Sequence, residues 1–257
     1  MSNLIELKVS DASFLRKAIN AICNQLPQAN LEFKPEGLSI CGMDPSHTSY
    51  VSYFLSANDC ASYICKENKV IGMTMKFLDQ VFRMSHTGEE CTLTIKKDSD
   101  TIEILLVHTG MMLRRTFDLP TLDLELDVID VPHLDLPADI TMKTAEFANV
   151  IKQFHGLNAD CVVLHVAEEG FTVEAEGDMK GSCLFEAGAE ERDMAMEGDS
   201  VRQVYSLKLL HGLLTDASPL ASLIYISFGK EKPIRFTFQI GERSKWMSYT
   251  APKIMDD

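Results

Sequence analysis

Glu36-Gly37-Leu38-Ser39-Ile40 and Glu169-Gly170-Phe171-Thr172-Val173 are one short text written twice, 133 residues apart. Ala12-Ser13-Phe14 meets Ala145-Glu146-Phe147 at the same spacing. Met75-Lys76-Phe77-Leu78 meets Leu207-Lys208-Leu209-Leu210 at 132, as do Ile102, Ile104 and Leu106 with Ile234, Phe236 and Phe238. Four separate segments that hold one register across half a chain mark an internal repeat. Two homologous domains are therefore expected, over 1–118 and 138–257. Between them, 119–137 is bracketed by Pro120 and Pro137 and has no counterpart in the repeat. Its alternation of Leu122, Leu124, Leu126 and Val128 with acidic residues predicts an extended connector, apolar side down on a surface.

Working outward, each half reads mostly as strand. Ser49–Leu55, Thr92–Ile95, Thr101–Val107, Val162–Val166, Phe171–Ala175, Leu223–Phe228 and Ile234–Ile240 alternate with period two and are bounded by turn residues. Each half also holds two helical stretches. Asp11 or Ser10 can cap the first and Thr74 the second; Thr144 can cap the third and Ser206 the fourth. The fold class expected is α+β: two repeats, each a set of antiparallel strands with two helices on one face.

Composition narrows the function. Of 257 residues, 46% are hydrophobic, as in an ordinary globule, and no apolar run reaches the ~18 residues that span a bilayer, so no membrane partner is expected. The N-terminus alternates and carries charge early, unlike a signal peptide. Seven cysteines show neither CxxC nor zinc-site spacing, so no metal and no cofactor is expected, and the thiols read as reduced. Asp44 and His47 are the nearest thing to a catalytic pair. Without GxSxG, a glycine-rich phosphate loop or HExxH beside them, the chain reads as no enzyme, with no catalytic residue.

The net charge of -14 argues against nucleic acid unless the cations are gathered in one place. They concentrate on the polar faces of the four helical stretches: Arg16 and Lys17, Lys76 and Arg83, Lys152, and Lys208. Asp11, Asp79 and Glu146 are the acids of the same stretches, and Lys143 and His155 flank the third. A negative remainder would steer a polyanion toward that one surface.

At this point three motifs and their spacing matter together. They are Met43-Asp44-Pro45-Ser46-His47-Thr48-Ser49, the connector Leu122–Pro132, and Tyr249-Thr250-Ala251-Pro252-Lys253-Ile254 followed by Asp256 and Asp257. With Tyr63–Gly72, they resemble the proliferating cell nuclear antigen (PCNA) family of sliding clamps over essentially the whole chain. The divergence elsewhere suggests a remote member, viral or from an outlying lineage.

The resemblance implies a DNA sliding clamp and polymerase processivity factor in DNA replication and repair. It would be a head-to-tail homotrimer that encircles double-stranded DNA without reading sequence. Polymerase, clamp loader and other replication proteins would dock by short peptides. Arg16, Lys17, Lys76, Arg83, Lys143, Lys152 and Lys208 would face DNA. Met43, His47, Tyr50, Ile129, Val131, Pro132, Pro233, Tyr249, Ala251 and Pro252 would line the peptide pocket. The subunit interface would pair the edges Met111–Phe117 and Gly181–Ala187, through Arg114, Arg115, Phe117, Cys183 and Phe185, with the two arginines facing Glu186. The nucleus is the implied location, or a viral replication compartment. Asn24, Asn149 and Asp216 stand where the family has cations, Glu168 where it has a modifiable lysine, Asp130 where it has a connector glycine, and Leu209 where it has a pocket aromatic. A monomeric processivity factor and a subunit of a heterotrimeric checkpoint-type clamp stay open as alternatives.

Overall fold

The computed structural model describes residues 3–97, 99–124, 134–189 and 191–253. Two compact units emerge. The first comprises Met1–Pro45, Val51–Ile129 and Ile240–Trp246; the second comprises Ser46–Tyr50, Asp130–Gln239 and Met247–Asp257.

In chain order the first half gives β1 (Asn3–Val9), α1 (Ala12–Cys23), β2 (Gln28–Lys34), β3 (Gly37–Met43), β4 (Ser49–Ser56), β5 (Ser62–Cys65), β6 (Lys69–Thr74), α2 (Met75–Arg83), β7 (Glu90–Lys96), β8 (Thr101–His108) and β9 (Leu113–Pro120). The second half gives β10 (Ala138–Lys143), α3 (Thr144–His155), β11 (Cys161–Ala167), β12 (Gly170–Glu176), β13 (Lys180–Glu186), β14 (Asp193–Met196), β15 (Val201–Ser206), α4 (Leu207–Ala217), β16 (Leu223–Phe228), β17 (Ile234–Gln239) and β18 (Lys245–Thr250). The strand order β5-β1-β7-β8-β9 is answered by β14-β10-β16-β17-β18, and β4-β3-β2-β6 by β13-β12-β11-β15. All seven expected strands form.

The quoted Glu-Gly text is where the repeat is most exacting. Gly37 and Gly170 open β3 and β12 after two-residue hairpins, with φ of 148° and 142°. A Cβ there would stand 2.0 Å from the Leu55 carbonyl oxygen and 2.2 Å from that of Phe185. No side chain fits either gap. In both units a neighbouring strand's backbone crosses directly over the turn.

Each helix pair packs its apolar stripe on the strands. Ala12, Leu15, Ile19 and Ile22 are buried on α1; Thr144, Phe147, Ile151 and Phe154 are buried on α3. These match at 132, so the structural equivalent of Phe147 is Leu15, and Phe14 is left half-buried. The missing residue lies at the strand–helix join. Ser10 and Asp11 separate β1 from α1, and Asp11 caps by accepting from the Ser13 N–H at 2.9 Å. The second unit runs straight from β10 into α3, and Lys143 occupies the cap position. Thr144, expected as that cap, is instead the first helical residue, and its hydroxyl donates to the Ala221 carbonyl at 2.8 Å. Ser206 caps α4 through the Leu209 N–H; Thr74 precedes α2 without a side-chain cap bond.

The second unit's core is an aromatic cluster. Phe147, Phe171, Phe228 and Phe236 are fully buried, with centroid separations of 5.9 Å for Phe147–Phe171 and for Phe147–Phe236. Burying each such ring contributes about 1.5–3 kcal/mol over leaving it in water. All seven cysteines are free thiols. Burial pushes the Cys60 thiol up to about 11 and the Cys91 thiol up to about 12, so both stay protonated and unreactive at neutral pH.

Candidate functional site

The polar faces of the helices come first. Lys17 on α1, Lys76 on α2, Lys152 on α3 and Lys208 on α4 are exposed, and none makes an ion pair among the described residues. Arg16 is half-buried and donates to the Ser85 carbonyl at 3.2 Å. Two of the expected DNA-facing cations are already matched. Arg83 pairs with Asp79 at 2.7 Å, and Asp79 holds the arginine firmly in its charged form. Lys143 pairs with Glu191. The expected cations left without an ion pair among the described residues are thus Arg16, Lys17 and Lys76 in the first unit and Lys152 and Lys208 in the second.

Sequence reasoning named His155 beside the third helical stretch and passed over His211. His155 on α3 and His211 on α4 stack with centroids 4.0 Å apart and an interplanar angle of 9°. Burial lowers the His211 pKa, and His155 and Lys152 lower it further. The visible signal was a doubled spacing, Lys152-x-x-His155 and Lys208-x-x-His211, which puts each lysine and its histidine on one helix face.

Two strand edges form the second feature. β9 closes the first sheet order and β13 closes the four-stranded sheet, and no further strand pairs with either outer edge among the described residues. Unpaired N–H and C=O groups on such edges are templates for another chain. Leu184 on β13 is 48% exposed, and Met112, just before β9, is 95% exposed. Met111 falls in a 3-10 turn, so the edge strand itself starts at Leu113. Arg114 is exposed, and Phe117 and Cys183 are half-buried.

The structure gives Arg115 a different partner from Glu186. It holds both carboxylate oxygens of Glu89, at 2.6 and 2.7 Å, and donates to the Met84 carbonyl at 2.7 Å. Glu89 is fully buried, so this bidentate pair fastens β9 to the segment that follows α2. Phe185 also turns inward. It is 6% exposed and stacks on Phe171 at 5.8 Å, with the Arg192 guanidinium 5.1 Å from its ring centre. Arg192 in turn pairs with Glu146 at 2.8 Å.

The third feature gathers part of the expected pocket. Within the second unit, the Ala251 N–H donates to the Thr48 carbonyl at 2.9 Å, and the Tyr50 and Tyr249 rings lie 6.2 Å apart. His47, whose φ is 54°, is exposed, as is Ala251; Tyr50, Pro233, Tyr249 and Pro252 are half-buried. A left-handed residue other than glycine is unusual and holds the His47 ring out from the loop. Met43 is half-buried in the first unit. Ile129, Val131 and Pro132, expected on the connector, lie outside the described residues, as do Ile254, Asp256 and Asp257. The connector's start is held by a two-way backbone pairing of Leu122 with Gly72, at 2.8 and 3.0 Å.

Among the described residues no group of three or more His, Cys, Asp or Glu side chains is placed to hold a metal ion. No helix among the described residues is long and apolar enough to cross a membrane.

Two family models together cover residues 4–253. Residues 4–131 match the N-terminal domain of proliferating cell nuclear antigen and residues 130–253 match its C-terminal domain. The chain belongs to the PCNA family. It is 25% identical over 260 residues to the proliferating cell nuclear antigen of Chaetomium thermophilum, covering 99% of this chain and 100% of that protein. The fold is that of the crystal structure of the antigen from Entamoeba histolytica. The TM-score is 0.90, at 21% identity, over 98% of this chain and 100% of the other. The two α+β domains expected from the repeat, and the clamp fold that the resemblance implies, are therefore the fold observed, and the PCNA family's place is in DNA replication, as its sliding clamp.

Proposed function

We propose that this protein closes as a head-to-tail homotrimer around duplex DNA and holds replication proteins there, acting as a polymerase processivity factor without catalysing a reaction. The observation that carries this reading is the pair of open edges. β18 has β4 along its outer side, with Ser49 and Thr250 in contact at one end and the Ser56 N–H on Ser244 at the other. β9 stands at the same place in the first repeat's strand order but has no partner strand among the described residues, and β13 is open likewise. β9 and β13 are two of the six strands that end the sheets among the described residues; two such unlike edges pairing between chains would join them head to tail, and such contacts close into a ring when the rotation allows. Arg114, Phe117 and Cys183 would line that contact, while Arg115 and Phe185 would support it from inside their own chain.

The cationic helix faces would supply loose phosphate contacts, which favour sliding because any register is as good as the next. His47, Tyr50, Pro233, Tyr249, Ala251 and Pro252 would form part of a docking surface for apolar and aromatic residues of partner peptides. The polymerase and the clamp loader are the partners such a surface implies, and the nucleus is where they would meet.

The deciding measurement is mass in solution, followed by DNA retention. Light scattering near three times 28.7 kDa, and stable retention on circular but not linear duplex, are expected. A lone protomer, or equal retention on both, would overturn the ring and favour the monomeric factor. Changing Lys17, Lys76 and Lys152 to Glu together should abolish retention at unchanged mass. His47→Ala with Tyr249→Ala should weaken peptide docking and leave retention intact.

A further inference from the structure

The stacked imidazoles of His155 and His211 sit on the two helices that carry Lys152 and Lys208. The sequence repeats Lys-x-x-His on both, Lys152 to His155 on α3 and Lys208 to His211 on α4, and the helices pack side by side. The rings are near parallel at 4.0 Å. His155 is exposed and His211 half-exposed, so the pair opens to solvent on the helices' polar side. The histidines flank the apolar stripes, Phe147, Ile151 and Phe154 on α3 and Leu207, Leu210 and Leu214 on α4, at the margin between the buried and the polar sides.

The equivalent place in the first unit is built differently. At the 132-residue spacing, Asp79 stands for His211, Cys23 for His155 and Asn20 for Lys152. There Asp79 accepts from Asn20 at 3.2 Å and pairs with Arg83 at 2.7 Å. The first unit closes this position with a carboxylate, and the second leaves two ionisable rings.

We propose that His155 and His211, with Lys152 and Lys208, form a phosphodiester-binding cluster that takes up a proton when duplex DNA binds. The inference rests on the DNA reading above. Two stacked imidazoles share one proton readily, but a second puts like charges in contact. A phosphate oxygen at the edges of the two rings, in line with their N–H groups, offsets that repulsion and accepts hydrogen bonds from the protonated rings. The proton comes from solvent, and no covalent bond of the phosphodiester changes.

The surroundings leave the pair free to do this. Burial, His155 and Lys152 all hold the His211 pKa below its ordinary value, so uptake has room to occur near neutral pH. Other charges on the packed elements are engaged elsewhere: Lys143 of β10 with Glu191, Asp139 of β10 with Ser227, Glu146 of α3 with Arg192, and Arg202 of β15 with Glu174. On β11, His165 and Cys161 remain, and Lys253 donates to the Cys161 sulfur at 3.0 Å. Asp216 of α4 lies more than one helical turn beyond His211. The one other ionisable group on β15, Tyr205, is buried with its hydroxyl on the Lys232 carbonyl.

The test uses the full chain and a short linear duplex at low salt, with affinity measured by anisotropy across the histidine range, roughly pH 5.5 to 8. Wild type should bind more tightly as pH falls, by up to ~10-fold per pH unit where uptake approaches one proton. His155→Gln with His211→Gln should flatten that dependence, while Lys17→Ala, on α1 of the first unit, weakens binding at every pH and keeps the slope. Histidine resonances of the wild type give a second readout that needs no variant. Their titration midpoints should rise on adding duplex, with or without a smaller rise in inorganic phosphate. A double variant with the wild-type slope, or midpoints unmoved by duplex, overturns the proposal. The lysine-to-glutamate triple change separates the two levels: if it leaves duplex binding intact, the DNA reading falls and this inference with it. If it abolishes binding but the double histidine variant keeps its slope, only the inference falls.

Discussion

The two repeats share a scaffold and differ in how they secure the same places. Ahead of the first helix, the Ala12 N–H donates to the Glu89 carbonyl at 2.7 Å; in the second unit the Thr144 N–H donates to the Ser222 carbonyl at 2.8 Å. The backbone bond is identical. In the first unit, however, the residue that supplies the carbonyl also carries a buried carboxylate clamped by Arg115, and in the second it carries a small hydroxyl. The first unit also caps its helix with Asp11 and satisfies Asp79 with Arg83, while the second uses Lys143 and a histidine stack. Duplication therefore preserves what the backbone requires. It leaves open which side chain satisfies each position, so one copy can be electrostatically closed while the other stays ionisable.

The comparison breaks most visibly at Arg115. Arg115→Ala strands the Glu89 carboxylate and should cost about 3–5 kcal/mol in denaturant unfolding. Ser222→Ala, at the matching place in the second unit, should stay within about 0.5 kcal/mol. Equal effects would mean the buried pair is not what distinguishes the units. The glycines test the opposite expectation, of likeness. Gly37→Ala and Gly170→Ala should each destabilise by roughly 2 kcal/mol or more, because both place a Cβ on a carbonyl oxygen in a strained backbone. A large difference between them would mean that one turn can relax and the other cannot. Caps come next: Asp11→Ala should cost about 1 kcal/mol, and Lys143→Ala should leave α3 stability within about 0.5 kcal/mol.

The smallest effect is a pH dependence. Asp59 in the first unit is partly buried, which alone would raise its pKa. The Ser244 hydroxyl and the Arg243, Ser244 and Glu242 N–H groups outweigh that and hold it below the ordinary carboxylate range. A depressed folded pKa gives stability that is present above the unfolded value of 3.8 and lost as pH falls through the folded one. Thermal melts of wild type should therefore fall more steeply below about pH 4 than those of Asp59→Asn. Parallel curves would remove the carboxylate's role.

Much of the site was legible because the signals are local. Lys17, Lys76, Lys152 and Lys208 could be placed on polar helix faces from the apolar spacing around them, and they are exposed as expected. His47, Tyr50, Tyr249 and Ala251 were named together only by resemblance to a family, since nothing within either segment points at the other. Arg83, Lys143 and Arg115 were read as available cations, because a partner four residues away is easy to discount and one 26 or 48 residues away is invisible.

By itself the sequence determined the doubling, the strand and helix alternation, and the glycine turns. Apolar periodicity and backbone strain act over a few residues and are written in those residues. Only the tertiary structure decided which charges remain free. Ion pairing depends on distance in space, and folding brought Glu89 to Arg115 and His155 to His211 across stretches of chain that carry no record of the meeting.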